Sequence, residues 1–162
     1  PLFGSEGRGI LRPGSREEAR NAIREISSCQ RVFYLQEYID HGGSDLRLLV
    51  IGDEVVASMR RKAPPGQWLT NIARGGTAEP LAADEALELL AIEAARAVGA
   101  EIAGVDILED PGGAPRILEV NAIPGWRALS EVSGKDLALS VLDYASARAG
   151  EHESEPAGAL QP

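Results

Sequence analysis

Two short apolar runs carry acids where a buried strand would ordinarily carry none. Gly-Val-Asp-Ile-Leu occupies 104–108 and Ile-Leu-Glu-Val-Asn occupies 117–121, with Pro111-Gly112-Gly113 between them. A turn centred at Gly112-Gly113 closes a hairpin that sets Asp106 opposite Glu119 and Gly104 opposite Asn121. Side chains alternate faces along a strand, so Asp106, Glu119 and Asn121 converge on one patch. Two carboxylates directly opposed repel each other. An unpaired charge among Val, Ile and Leu is costly as well. A cation relieves both problems. Two carboxylates and an amide form an all-oxygen set suited to Mg²⁺ or Mn²⁺, with phosphate oxygens or waters completing the shell. Gly104 has no side chain and leaves room for a ligand there. A slipped register with both acids at solvent, or one protonated carboxyl, would also remove the repulsion.

A metal held by few protein ligands raises the question of where phosphates would sit. Gly4-Ser5-Glu6-Gly7-Arg8-Gly9 has the backbone freedom to bring N–H groups to phosphate oxygens. It is no P-loop, because no Gly-Lys-Ser/Thr follows. Nor does it read as a dinucleotide fingerprint, which needs a strand before it. A flexible chain end would explain the same glycines. Basic residues cluster further on. Asp45 to Ile51 and Glu54 to Arg61 read as a hairpin closed by Gly52-Asp53, with Gly first as in a type II′ turn. That turn sets Asp45 opposite Arg60 and Arg47 opposite Ser58, so Asp45, Arg47 and Arg60 share a face. Arg61 falls on the other face unless a bulge intervenes. Arg61, Lys62 and Arg74 add positive charge nearby. Arg suits two-point contact with phosphate or carboxylate, although a solvated charged face has the same composition.

The elements that must position these residues mix hairpins with helices. Ser15 and Glu18 form a capping-box pattern, and a helix to about Ser27 follows with Ala19, Ala22, Ile23 and Ile26 on its inner stripe. Val32 to Ile39 reads as a buried strand. Ala63 to Pro80 reads as a polar loop. Ala83 to Val98 reads as a helix stopped by Gly99, and Lys135 to Ala147 as a final amphipathic helix. Residues after Gly150 read as a disordered tail. The expected class is α+β with a largely antiparallel sheet.

Bulk composition narrows the partners. The 162 residues allow one ordinary domain and a tail, and 44% hydrophobic residues suffice for a core. A net charge of −9 argues against nucleic acid or an anionic membrane as the main partner. No apolar run approaches the ~18 residues of a membrane span. Cys29 is the single cysteine, which rules out an intrachain disulfide and suits a reducing cytoplasm. His41 and His152 lack metal-spaced partners, and no Ser/His/Asp arrangement supports triad hydrolysis. With no signal peptide and no initiator Met before Pro1, the chain reads as cut from a longer one.

The ordered set of motifs resembles the RimK-like ATP-grasp ligases. It comprises Pro1 to Gly9, Leu-Gln-Glu-Tyr-Ile at 35–39, Asp-Leu-Arg at 45–47, Val-Val-Ala-Ser-Met-Arg-Arg at 55–61, Thr-Asn-Ile-Ala-Arg-Gly-Gly at 70–76, Gly-Val-Asp at 104–106, and Leu-Glu-Val-Asn-Ala-Ile-Pro-Gly at 118–125. It runs from Pro1 to about Ala147. The resemblance implies that Gly4, Ser5, Gly7 and Gly9 form a flexible loop over the phosphates of ATP. It implies that Gln36, Glu37, Tyr38 and Ile39 form the hinge that holds adenine, and that Asp45 reaches the ribose or its surroundings. Arg47 and Arg61 would face the phosphates and an acyl-phosphate intermediate. Asn71 and Arg74 would line the site near phosphate and the incoming substrate. Asp106, Glu119 and Asn121 would hold two Mg²⁺ (or Mn²⁺) ions.

Such enzymes phosphorylate a carboxylate with ATP and let an amine displace the phosphate. The implied substrates are L-glutamate and an acceptor carboxylate on a small cofactor or a protein C-terminus. Three departures bear on the acceptor. Leu69 and Ala73 stand where ribosomal-protein-modifying relatives carry Arg and His, and Trp126 is nearer to relatives that glutamylate a pterin cofactor. Relatives also carry a Lys directly before the segment matching Pro1, preceded by an N-terminal domain and the first part of the grasp. Residues 1–149 then correspond to the C-terminal part of an ATP-grasp domain and 150–162 to a tail. A Mg-nucleotide-binding module without turnover is the alternative reading. Relatives often self-associate, but no interface is legible here.

Overall fold

The computed structural model describes residues 7–28 and 34–154, with side chains through Gly150. Five strands form one sheet: β1 (Ser44–Ile51), β2 (Glu54–Lys62), β3 (Thr77–Pro80), β4 (Ile102–Glu109) and β5 (Pro115–Asn121). Their order is β3-β2-β1-β4-β5, and every neighbouring pair is antiparallel. Among the described residues four α-helices accompany it: α1 (Arg16–Ser28), α2 (Glu85–Ala97), α3 (Arg127–Ser133) and α4 (Leu137–Ser154). The architecture is α+β with an antiparallel sheet, as the hairpins imply.

The central strand explains the layering. β1 is apolar on both faces, so both must be covered. Leu46, Leu48 and Val50 point to one side, where they join Ala103, Val105 and Ile107 of β4. There α2 packs with Ala91 and Ala95, whose small side chains let its backbone come close. Leu49 and Ile51 point to the other side with Ala57 and Met59 of β2. Leu129 of α3 and Leu137 of α4 close that half. Asp45 and Arg47 lie on this second face too, four and two residues before Leu49. The face is thus apolar at one end and charged at the other.

Local signals account for the helix ends. Ser15 Oγ accepts the Glu18 N–H at 3.1 Å, and the Glu18 carboxylate accepts the Gly14 N–H at 2.8 Å. The expected stripe of Ala19, Ala22, Ile23 and Ile26 is half-buried, and no α1 residue is fully buried. Asp84 caps α2 by accepting the Leu87 N–H at 2.8 Å, and Gly99 ends it at φ +67. Asp136 accepts the Leu139 N–H at 3.0 Å at the start of α4.

Several expectations need correction. Residues 34–39 form no strand: they find no ladder partner among the described residues, and Tyr34 and Leu35 are 64% and 69% exposed. Val32 and Cys29 lie outside the described residues. The segment read as one loop from 63 to 80 contains a 3₁₀ turn (Ile72–Arg74) and the edge strand β3. β3 is only four residues long and ends in Pro, so its sequence carries little strand signal. α3 was not expected. α4 continues past Gly150 to Ser154, and residues 155–162 lie outside the described residues, as does the His152 side chain.

The β1–β2 turn depends on Gly52 for two reasons. Its φ is +60, and a Cβ there would lie 2.8 Å from the Tyr144 ring of α4. Gly52→Ala should therefore destabilise the protein by about 1–3 kcal/mol, from backbone strain and overpacking together. Urea unfolding checks this. In a Tyr144→Ala background the same change should cost less, because only the backbone part remains.

Candidate functional site

A bulge between Leu49 and Val50 decides what the charged end of the sheet contains. Near the turn Val50 faces Val55, but beyond the bulge Leu49 faces Ala57, Leu46 faces Arg60 and Asp45 faces Arg61. The expected opposition of Asp45 to Arg60 is corrected by one residue. An extra residue exchanges the two faces for everything beyond it. Arg61 thereby joins Asp45 and Arg47. Arg60 moves to the opposite face, where it donates to Glu109 at 2.6 Å and Ser44 Oγ at 3.2 Å. The second hairpin keeps the expected register around the acids, with Gly104 opposite Asn121 and Asp106 opposite Glu119. Toward the turn the expected pairing is corrected by one residue, Ile107 facing Ile117 and Glu109 facing Pro115, and a bulge between Asp106 and Ile107 brings the acids back opposite each other.

Four charges on β1, β2 and β4 interlock. Arg47 donates from Nε and Nη2 to the two oxygens of Asp106 at 2.7 and 2.8 Å. Arg61 donates from Nε and Nη2 to the two oxygens of Asp45 at 2.7 and 2.6 Å. Its Nη2 also reaches Asp106 Oδ2 at 2.9 Å. Thr70 Oγ1 donates to Asp45 Oδ2 at 2.7 Å. Asp45, Arg61 and Asp106 are only 3%, 3% and 4% exposed. Burial by itself would lower the Arg61 pKa, but hydrogen bonds and charge from Asp45 and Asp106 outweigh it and hold the guanidinium above its ordinary value. Arg47 sits at the rim, its side chain 14% exposed. Neither Arg47 nor Arg61 uses Nη1 in a bond among the described residues, so the two N–H groups of each Nη1 are available as donors.

The remaining expected residues distribute unevenly. Glu119 is exposed and has no hydrogen-bond or ion-pair partner among the described residues, although it stands opposite Asp106. Asn121 is half-buried, and its Oδ1 accepts the Ile123 N–H at 3.0 Å. The room left by Gly104 is taken by Pro124, which a Cβ would approach to 2.7 Å, with Arg47 Nε at 3.8 Å. That corrects the reading of Gly104 as open ligand space. No group of three His, Cys, Asp or Glu side chains is arranged for a metal among the described residues. Asp106, Glu119 and Asn121 offer two carboxylates and an amide, the hard-oxygen donor types that could hold a divalent ion. Glu119 is an acid with no counter-charge among the described residues.

The Gly-rich segment meets the same end of the sheet. Gly7 is buried with φ +70, and a Cβ on it would collide with Asn71 Oδ1. Arg74 Nη1 lies 3.4 Å from the Gly7 carbonyl, and Gly9 also has positive φ. Gly4 and Ser5 lie outside the described residues. Gln36, Glu37 and Tyr38 are exposed and Ile39 is half-buried. The Arg12 guanidinium sits 3.6 Å from the Tyr38 ring centroid, and Trp68 meets the same ring edge-on at 6.0 Å. Trp126 packs into the apolar core. Thr70 was missed. Its signal is its place directly before Asn71, but its partner is visible only once the bulge is known.

Removing one member of the buried network should be expensive. Asp45→Asn leaves Arg61 without a full counter-charge and should cost roughly 3–5 kcal/mol. Glu79→Gln, which breaks the half-exposed Lys62–Glu79 pair, should cost under about 1 kcal/mol. Denaturant midpoints of the two variants measure the contrast.

Comparison with known proteins identifies the family and the fold. A model of the RimK-like ATP-grasp domain matches residues 1–145. A probable alpha-L-glutamate ligase of Stutzerimonas stutzeri is 35% identical over 158 residues, covering 97% of this chain and 52% of that protein. Another from Aeromonas salmonicida is 36% identical over 157 residues, covering 96% and 52%. The chain thus spans about half the length of these relatives. Among solved structures, the ATP-grasp ligase PsnB complexed with minimal precursor, Mg and ADP overlays 85% of this chain and 44% of its own, with TM-score 0.61 and 21% identity. The D-alanine-D-alanine ligase from Coxiella burnetii overlays 88% and 42%, with TM-score 0.58 and 20% identity. The fold is that of ATP-grasp enzymes, and the chain belongs to the RimK-like ATP-grasp family.

Proposed function

We propose that this chain supplies the phosphate- and metal-binding side of an ATP-dependent carboxylate–amine ligase that transfers L-glutamate. The observation that carries the reading is Glu119. It is an acid without a partner among the described residues, opposite an Asp106 already neutralised by two arginines. Asp106, Glu119 and Asn121 hold Mg²⁺ or Mn²⁺, which supplies charge neutralisation on the phosphate oxygens of ATP when bound. Arg47 and Arg61 offer their free Nη1 groups to the same oxygens. Gly7 and Gly9 present backbone, while Asn71 and Arg74 flank them. Glu37 to Ile39 contribute the adenine hinge.

In the proposed reaction an acceptor carboxylate oxygen attacks the γ-phosphorus and ADP departs, leaving an acyl phosphate. The glutamate amine then attacks the acyl carbon. Phosphate leaves with the bonding pair, and the amine gives up a proton. No covalent enzyme intermediate is needed, so catalysis rests on positioning and preorganised positive charge. The names of the relatives support glutamate as the amine. Trp126 and the departures at Leu69 and Ala73 favour a small pterin-type cofactor over a protein C-terminus as the acceptor.

The clean test is Glu119→Gln, because Glu119 has no partner to lose among the described residues. Stability should change by less than about 0.5 kcal/mol, while Mg-dependent binding of ADP, read by calorimetry, should disappear. Adding Asp106→Asn should not restore it. Binding in Glu119→Gln that still requires Mg²⁺ would overturn the assignment. ADP release that depends on glutamate and an acceptor separates a ligase from a module that only binds nucleotide.

A further inference from the structure

We propose that Thr70 is a positioning residue that fixes the Arg61 guanidinium and, through it, the Asp106 carboxylate; this rests on the functional reading above. Thr70 is 6% exposed, and its hydroxyl donates to Asp45 Oδ2 at 2.7 Å. That oxygen also takes Arg61 Nη2 at 2.6 Å. The same Nη2 is shared with Asp106 Oδ2 at 2.9 Å. Three consecutive bonds therefore run from the Thr70 hydroxyl to the acid opposite Glu119.

The backbone of Thr70 belongs to a different part of the site. The next residue, Asn71, accepts the Arg74 N–H at 2.9 Å and the Gly76 N–H at 3.2 Å through its carbonyl. A Cβ on Gly76 would collide with the Thr70 carbonyl, so the turn closes tightly on Thr70. Asn71 and Arg74 in turn lie against Gly7. One residue thus joins the loop carrying Asn71 and Arg74 to the sheet carrying Arg61 and Asp106. Its hydroxyl completes a second donor on Asp45 Oδ2. Without it the two-point Asp45–Arg61 pair loses its tie to the loop and is held on the sheet side by Asp106 alone. The free Nη1 then no longer points one way.

The residue type follows from that position. A hydroxyl donor is required, and Asp45 already faces a cation, so a second full charge would unbalance the network. Ser meets the requirement, while Val keeps the volume of Thr and lacks the donor.

Thr70→Val and Thr70→Ser test this with two readouts. The first is the Nε–H resonance of Arg61 in ¹⁵N-labelled protein, assigned by its loss in Arg61→Lys. It should be shifted and slowly exchanging in the wild type and in Thr70→Ser, and lost to exchange in Thr70→Val. The second is calorimetric affinity for Mg-AMPPNP. It should weaken roughly tenfold in Thr70→Val and stay within about twofold in Thr70→Ser, as expected for one hydrogen bond to a charged group. If Thr70→Val does not fold, Thr70→Ala makes the same comparison. A hydroxyl-free variant that keeps both the Nε–H signal and the affinity overturns the proposal. If the wild type binds no Mg-nucleotide, the functional reading fails, and the Nε–H signal still decides whether Thr70 holds Arg61.

Discussion

The constraint on which this structure turns is the burial of an Asp–Arg–Asp chain at the end of the central strand. Removing charges from water costs several kcal/mol per ion unless each meets a partner in good geometry. Asp45, Arg61 and Asp106 meet that condition because β1, β2 and β4 are adjacent, and because one bulge brings Arg61 to the face of Asp45. Arg47 makes the set two acids and two bases. Such a cluster gives little net stability compared with an apolar core. What it provides is a fixed arrangement of positive charge in a setting poor in water, where it acts strongly on an anion.

The rest of the sheet supports that arrangement. The second face of β1 changes from apolar to charged within a few residues. Leu49 and Ile51 sit beneath α3 and α4, whereas Asp45 and Arg47 lie beyond them. Thr70 and the loop around it cover the charged half. Pro124 fills the position above Gly104, and the two bonds to Asp106 hold Arg47 against β4. The first face is apolar where α2 packs, over Leu46, Leu48, Val50, Ala103, Val105 and Ile107, and carries the Arg60–Glu109 pair at its end. The site is thus a continuation of core strands and inherits their rigidity.

How much of this was legible depended on parity. The acidic hairpin came out in the expected register at the acids through two offsetting departures. Next to the turn Ile107 faces Ile117, one residue off the pairing that Gly112-Gly113 implies, and the extra residue Leu118 then restores Asp106 opposite Glu119. The first hairpin could not be read to its end. Val55, Val56 and Ala57 are all apolar, so alternation does not reveal which of them is the extra residue. Without the bulge, Arg60 seems to face Asp45; with it, Arg61 does. β3 and residues 34–39 erred in opposite directions for one reason. Strand formation is decided by an available edge, not by propensity. Thr77 to Pro80 has weak propensity but lies along β2, whereas 34–39 has strong propensity and no strand to join among the described residues.

Asp106 and Glu119 are opposite each other on one hairpin, yet their electrostatic circumstances differ completely. Asp106 is buried and held by two arginines, so its charge is already partnered. Glu119 is on the edge strand, exposed, and has no counter-charge among the described residues. A site meant only for stability would neutralise both acids. A site that must take up and release a divalent cation with a polyanion benefits from asymmetry. In the proposed site one acid is fixed in place by arginine, and the other would be left to attract the ion. The arginines that hold the first acid would offer Nη1 to the polyanion. On that reading metal and phosphate would be better received together than separately, since each satisfies charge that the other leaves exposed.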